Sequence, residues 1–231
     1  MESSWNPNRF DLLLAVLIVL IFPILARILY FATGALIPLI IYYGAAWGIS
    51  IWRRGNSGYS KKTKILIPRA FVINVIVIGL ALVFAFLARN KDLIPNSTGA
   101  ILTGLVWAPI NAASEQLLWI YLYDSWDLYT PSKEQYSTKN WIWIQRIVGF
   151  ILFTVFVGTI HTFFWVEFLE PVMADNIFGV IFVLLTSLSG YIHILAWRES
   201  NNMVYTFIPH FLLNLVPLFW TGYSILPFLI K

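Results

Sequence analysis

Apolar runs of about twenty residues recur along the whole chain, and no other feature restricts its fold so strongly. In hydrocarbon every backbone N–H and C=O must be satisfied within the protein, which leaves helices and closed barrels as the spanning structures. Barrel strands are about ten residues long with alternating apolar and polar positions, a pattern these longer runs do not follow. The expected fold is therefore all-α, a polytopic bundle of about seven transmembrane helices. The spans fall near residues 10–30, 35–52, 67–88, 98–123, 141–165, 177–197 and 204–230. Composition agrees: 59% of residues are hydrophobic and only 11% charged, against about 25% charged in soluble domains. The chain reads as one integral membrane domain, 1–231. Its first two spans are joined by a short turn at Thr33-Gly34 and form a tight hairpin. That arrangement does not suit a cleavable signal peptide.

Lys and Arg collect on the cytoplasmic side of helical membrane proteins, so their distribution predicts orientation. Arg53, Arg54, Lys61, Lys62 and Lys64 form the richest loop. Placing it in the cytoplasm brings Lys133, Lys139 and Arg198 to the same side and leaves Glu167, Glu170 and Asp175 outside; Arg89 and Lys91 run against the bias. The N-terminus is then cytoplasmic, the C-terminus is outside, and the expected location is the cell membrane. A net charge of +4 and a pI near 9.3 come from residues at span ends, where topology and anionic headgroups explain them. Membrane lipids, not nucleic acid, are the implied partners. The absence of cysteine removes disulfides, thiolate metal sites and cysteine nucleophiles.

Polar side chains inside such runs carry the chemistry. A charged group near the bilayer centre costs about 2.5–3.5 kcal/mol on insertion scales, so it faces a partner or a wet cavity. Glu115 lies in INAASEQLLWIYLY, roughly eight residues from the end of the fourth span, or about 12 Å along the helix. His161 lies late in the fifth span after Gly158 and Thr159, small residues that let a neighbouring helix approach. His210 and Asn214, four residues apart, share one face of the seventh span, and Pro209 is expected to loosen the turn before them. Asn74 and Asn111 are expected to hydrogen-bond between helices. His193 is expected near water or headgroups at the end of the sixth span. Trp141, Trp143, Trp197 and Trp220 fit aromatic belts at the interface.

In order and helix placement these residues resemble the CPBP family of intramembrane proteases, which includes CAAX prenyl endopeptidases and bacteriocin-processing or immunity proteins. Its members carry Glu-Glu-x-x-x-Arg, Phe-x-x-x-His and His-x-x-x-Asn motifs on successive helices. Glu115 falls on the first glutamate, with Trp119 where the family often has an aromatic; His161 falls on the second motif; His210 and Asn214 complete the third. Gln116, Ile120 and Val157 stand where the family has glutamate, arginine and phenylalanine.

The resemblance implies hydrolysis of a peptide bond by an activated water in a cleft between the fourth, fifth and seventh spans. Glu115 would take the water's proton and His161 would position the water. His210 and Asn214 would donate hydrogen bonds to the developing oxyanion. The implied substrate is a peptide or lipidated protein, and no cofactor is called for. A carboxylate and two imidazoles also match a known catalytic zinc set, so zinc is the alternative. Against an enzyme stand an inactive scaffold or immunity protein of the same ancestry and a small transporter, for which Pro209 and Pro217 would break the seventh span.

Overall fold

The protein is described from a computed structural model that covers residues 5–63, 65–89, 97–130, 139–169 and 176–231. Lys64, Lys91, Lys133, Glu170 and Asp175, used above for orientation, lie outside the described residues. Every regular element among the described residues is helical. Six segments are long and apolar enough to cross a membrane: Arg9–Thr33, Leu36–Arg54, Arg69–Ala88, Trp141–Leu169, Ile177–Ser200 and Val204–Thr221. This is an integral membrane protein with an all-α architecture.

The fourth expected span is helical but is not one of those six. It consists of α4 (Ser97–Leu102), a π-helical turn (Thr103–Trp107) and α5 (Ala108–Asp127). Its hydropathy is lowered by Asn111, Ser114, Glu115, Gln116 and Asp124, all of which are buried. The helix keeps its polar groups against protein, so its lipid compatibility does not show in its composition.

The chain divides into two compact units, Met1–Asn56 with Leu117–Glu167 and Lys231, and Ser57–Gln116 with Phe168–Ile230. The first unit opens with α1 (Arg9–Thr33), whose start is set by a capping box. Asn8 accepts the N–H groups of Phe10 and Asp11, and the Asp11 carboxylate accepts the N–H of Asn8. Gly34, at φ 83°, then turns the chain into α2 (Leu36–Arg54), completing the expected hairpin. In the same unit α6 (Lys139–Ile160) continues through a second π-helical turn, His161–Trp165, into α7 (Val166–Leu169), whose last two residues fall in the other unit. Tyr42 packs with Phe22 and Phe156 in its core and accepts a hydrogen bond from Trp119 Nε1 at 3.2 Å.

Two buried acidic groups hold the first unit together. Asp11 accepts a bidentate pair of bonds from Arg53 at 2.7 and 3.0 Å and a third from the Tyr121 hydroxyl at 3.1 Å. Arg54 lies 3.9 Å from Asp124, with both side chains buried. The two arginines that dominate the predicted cytoplasmic loop are therefore also internal ion-pair partners. The close approach expected at Gly158 does not occur: a Cβ there would meet nothing within 4 Å. Gly149 is the residue that needs to be glycine, because a Cβ would lie 2.6 Å from the Tyr123 carbonyl oxygen.

In the second unit α3 (Arg69–Ala88) packs along α8 (Ile177–Ser200) through Ala70, Val77, Ile192 and Ala196. Small side chains let the backbones approach, and Glu199 of α8 accepts the N–H of Ala70 at the start of α3. α9 (Val204–Leu215) carries Pro209 within an unbroken helix. The seventh span ends earlier than expected. After Pro217 comes the short α10 (Leu218–Thr221), which Gly222 stops at φ 60°, and then only a 3-10 turn at Leu226–Phe228, so residues up to 230 do not extend the span. A glycine in the left-handed region is a common helix stop. The loop before α3 is tied down in this unit: Tyr59 donates to the Ala113 carbonyl at 2.8 Å, Asn202 to that of Lys61 and Tyr205 to that of Leu66. Burial raises the Tyr59 phenol above its ordinary range, which keeps it a donor. Trp197 is buried beneath this loop against Gly58.

Candidate functional site

The second unit gathers a chain of buried polar groups from α3, α5, α8 and α9. On α5, side chains from Asn111 to Ser125 are buried except at Ala113. Glu115 and Gln116 are adjacent on its part in this unit, and both meet His210 of α9. His210 Nε2 lies 3.3 Å from Glu115 Oε2, and the Gln116 amide nitrogen bonds His210 Nδ1. Glu115 is 2% exposed, Gln116 0% and His210 5%, so the cluster is shielded from bulk solvent.

Two oxygens of this cluster remain open. Among the described residues, neither Glu115 Oε1 nor Gln116 Oε1 has a hydrogen-bond partner, although both are fully buried. Leaving a buried polar atom unsatisfied costs about 1–3 kcal/mol, more when it is charged. Both atoms accept hydrogen bonds, so a molecule able to donate two, such as water, matches them chemically.

A turn further along α9, the Asn214 amide nitrogen donates to Asn111 Oδ1 at 2.9 Å, the interhelical role expected of Asn111. Asn214 is thus held by a partner the family motifs do not contain. Its amide nitrogen carries a second hydrogen. His193 departs from expectation. It is 2% exposed, not in contact with headgroups, and its ring stands edge-on to His210 with centroids 5.7 Å apart. Asn74 lies 3.0 Å from His193 Nδ1 and accepts from the Ser189 hydroxyl at 2.7 Å, so it too bonds between helices. The apolar sequence around His193 gives no sign of this depth, because helix ends are a poor guide to where a lateral partner sits.

His161 belongs to the first unit, whereas Glu115, His210 and Asn214 belong to the second. It is exposed, and its Nδ1 lies 2.7 Å from the Val157 carbonyl one turn back. A carbonyl can only accept, so Nδ1 is the donor of this bond. His161 opens the second π-helical turn, a distortion frequent at functional sites. Ile120, at the arginine position of the family motif, is buried.

Among the described residues no group of three or more His, Cys, Asp or Glu side chains is placed to hold a metal ion. Comparison with known proteins adds no relative: no protein-family model, curated protein or solved structure matches the chain.

Proposed function

We propose that this protein is an intramembrane endopeptidase that hydrolyses a peptide bond with a water activated by Glu115. The observation carrying the proposal is the half-satisfied carboxylate: Glu115 Oε2 faces His210 Nε2 at 3.3 Å while Oε1 is buried without a partner among the described residues. A general base needs this arrangement, with one oxygen oriented by a neighbour and the other left for the proton it receives. The resemblance to CPBP proteases in the order of Glu115, His161, His210 and Asn214 supports the same reading. Here His210 orients the base, a role different from the oxyanion donor that the motifs imply. The second hydrogen of the Asn214 amide serves the oxyanion. His161, whose Nδ1 is engaged by the Val157 carbonyl, is the second candidate proton acceptor.

The proposed substrates are transmembrane or lipidated peptides, and the proposed mechanism uses no cofactor. The Lys and Arg distribution supports placement in the cell membrane with a cytoplasmic N-terminus, which a reporter fused to each terminus tests. A second reading, a non-catalytic scaffold, is favoured by buried Ile120 at the arginine position. In it the same polar groups only tie helices together. Incubating purified protein with a panel of lipidated and transmembrane peptides separates the two. Fragments should appear with wild type and be lost with Glu115→Ala and with His161→Ala. Cleavage that survives both substitutions refutes the site, and a wild type that cleaves nothing in the panel favours the scaffold.

A further inference from the structure

We propose that the loop leading into α3 is a lipid anchor: Ile65, Leu66 and Ile67 insert into the bilayer interface, and Lys62 and Arg69 beside them bind the phosphate of anionic phospholipids. It holds whether or not the protein cleaves peptides. Three consecutive aliphatic side chains face outward here, Ile65 42% exposed, Leu66 82% and Ile67 60%. No large apolar side chain among the described residues is more exposed than Leu66. Exposed apolar patches mark contact with a membrane or a partner. Pro68 caps the start of α3, whose 20 residues span about 30 Å, the thickness of the hydrocarbon. Arg69 therefore lies at the hydrocarbon edge, and the three residues before Pro68 lie at the level of the headgroups.

A segment that is not helical can enter this layer only if its backbone polar groups are met within the protein. The Thr63 hydroxyl donates to the Ile65 carbonyl at 2.6 Å and accepts the Ile65 N–H at 3.3 Å. The Tyr205 hydroxyl donates to the Leu66 carbonyl at 2.7 Å. Pro68 has no N–H to satisfy. Tyr205 suits an interfacial position, with an apolar ring packed edge-on against Phe71 at 5.2 Å and a polar tip on the loop. The loop's backbone is thus held inward by side chains of unit two while its aliphatic groups stay outside, as an anchor requires.

Charge selects the kind of lipid. From Ser57 to Arg69 the sequence holds four cations, Lys61, Lys62, Lys64 and Arg69, and no acid. The Lys61 ammonium lies over the Trp197 ring at 5.7 Å, whereas Lys62 and Arg69 are exposed. Glu199 approaches this corner, and its Oε2 accepts the Ala70 N–H at 3.0 Å. Cations next to outward aliphatics match a molecule with an anionic head and apolar tails. A soluble phosphate would engage the cations and leave the aliphatics in water.

Site-directed fluorescence in reconstituted bilayers tests the anchor. The chain has no cysteine, so an environment-sensitive fluorophore on Leu66→Cys is the only label, with exposed Ser60 of the same loop, as Ser60→Cys, for reference. Ile67→Cys repeats the measurement should the first variant fail to fold. At position 66 nitroxide-labelled lipid should quench the label and acrylamide in the water should not; at position 60 the order should reverse. In an equal mixture of phosphatidylcholine and phosphatidylglycerol, nitroxide phosphatidylglycerol should quench at 66 more strongly than nitroxide phosphatidylcholine. Lys62→Gln and Arg69→Gln should each cut that preference about five-fold. Equal acrylamide quenching at 66 and 60 overturns the anchor. A preference that is absent, or unchanged in both charge variants, overturns the anionic lipid. Shielding at 66 that ignores lipid quenchers but grows with the protein-to-lipid ratio assigns the patch to a second copy of the chain and overturns both.

Discussion

Adding one methyl group at Gly149 should weaken the first unit, whereas the same change at Gly158 should not. A Cβ at 149 would sit 2.6 Å from the Tyr123 carbonyl oxygen and 3.5 Å from Trp126 Cβ. Ordinary contact begins at 3.4 Å, and the neighbour at 2.6 Å is a backbone atom that cannot swing aside. The difference means that α6 would have to retreat by about 0.8 Å in a close-packed interior. Overpacking of this kind costs about 1–3 kcal/mol. Helix propensity offsets up to about 1 kcal/mol of it, because alanine replaces glycine within a helix. At Gly158 nothing lies within 4 Å, so only the favourable propensity remains. Propensity cancels between the two variants, which should therefore differ by the overpacking cost of about 1–3 kcal/mol. For a chain of this size each kcal/mol shifts the melting temperature by about 2–4 °C, which gives a separation of about 2–12 °C. Thermal unfolding in one detergent, followed through the fluorescence of the 11 tryptophans, measures it. If Gly149→Ala melts at or above Gly158→Ala, the close approach of α6 to the Tyr123 backbone is wrong.

Asp11→Ala should destabilise the first unit by about 2–3 kcal/mol. That figure lies at or below the range of about 3–5 kcal/mol for breaking a fully enclosed pair, because Arg53 keeps 20% of its side chain exposed. A melting temperature within error of wild type would show that the Arg53 and Tyr121 bonds contribute nothing. Tyr59 predicts a pH effect. Its phenol is raised above 10.0 in the folded protein. The stability it adds is therefore complete below the unfolded value and is lost as pH climbs from about 10 toward the folded value. Tyr59→Phe should lose about 1 kcal/mol at pH 8 with the hydrogen bond to Ala113 and show a shallower alkaline decline. Chemical denaturation at both ends of that range, with identical alkaline slopes in the two proteins, would contradict the assignment.

What the sequence reveals depends on whether a property belongs to a residue or to its neighbours. The α1–α2 hairpin is legible because Thr33-Gly34 interrupts two apolar runs, and the φ of 83° at Gly34 is one that glycine adopts readily. Glu115 and His210 are legible because ionisable groups are costly in lipid, and the structure brings these two together. Asn111 and Asn74 are found by the same logic. Gln116 escapes it: beside a glutamate in a polar stretch it reads as a departure from a motif, and its bond to His210 depends on how α9 packs. Gly149 and Gly158 sit in equally apolar surroundings, so only the packed neighbours separate them. The early end of the seventh span is hidden because residues 222–230 are apolar enough to extend it, while the positive φ at Gly222 stops the helix.

The central claim is that Glu115 receives the proton of the attacking water, and Glu115→Gln tests it most directly because the side chain keeps its shape while its amide cannot take up a proton. With a peptide that the wild type cleaves, kcat/KM should drop by about 10²–10⁴-fold, the contribution of a positioned general base. The melting temperature should stay close to that of wild type. Cleavage by Glu115→Gln at the wild-type rate would contradict the account, whatever the fate of the other residues in the cluster.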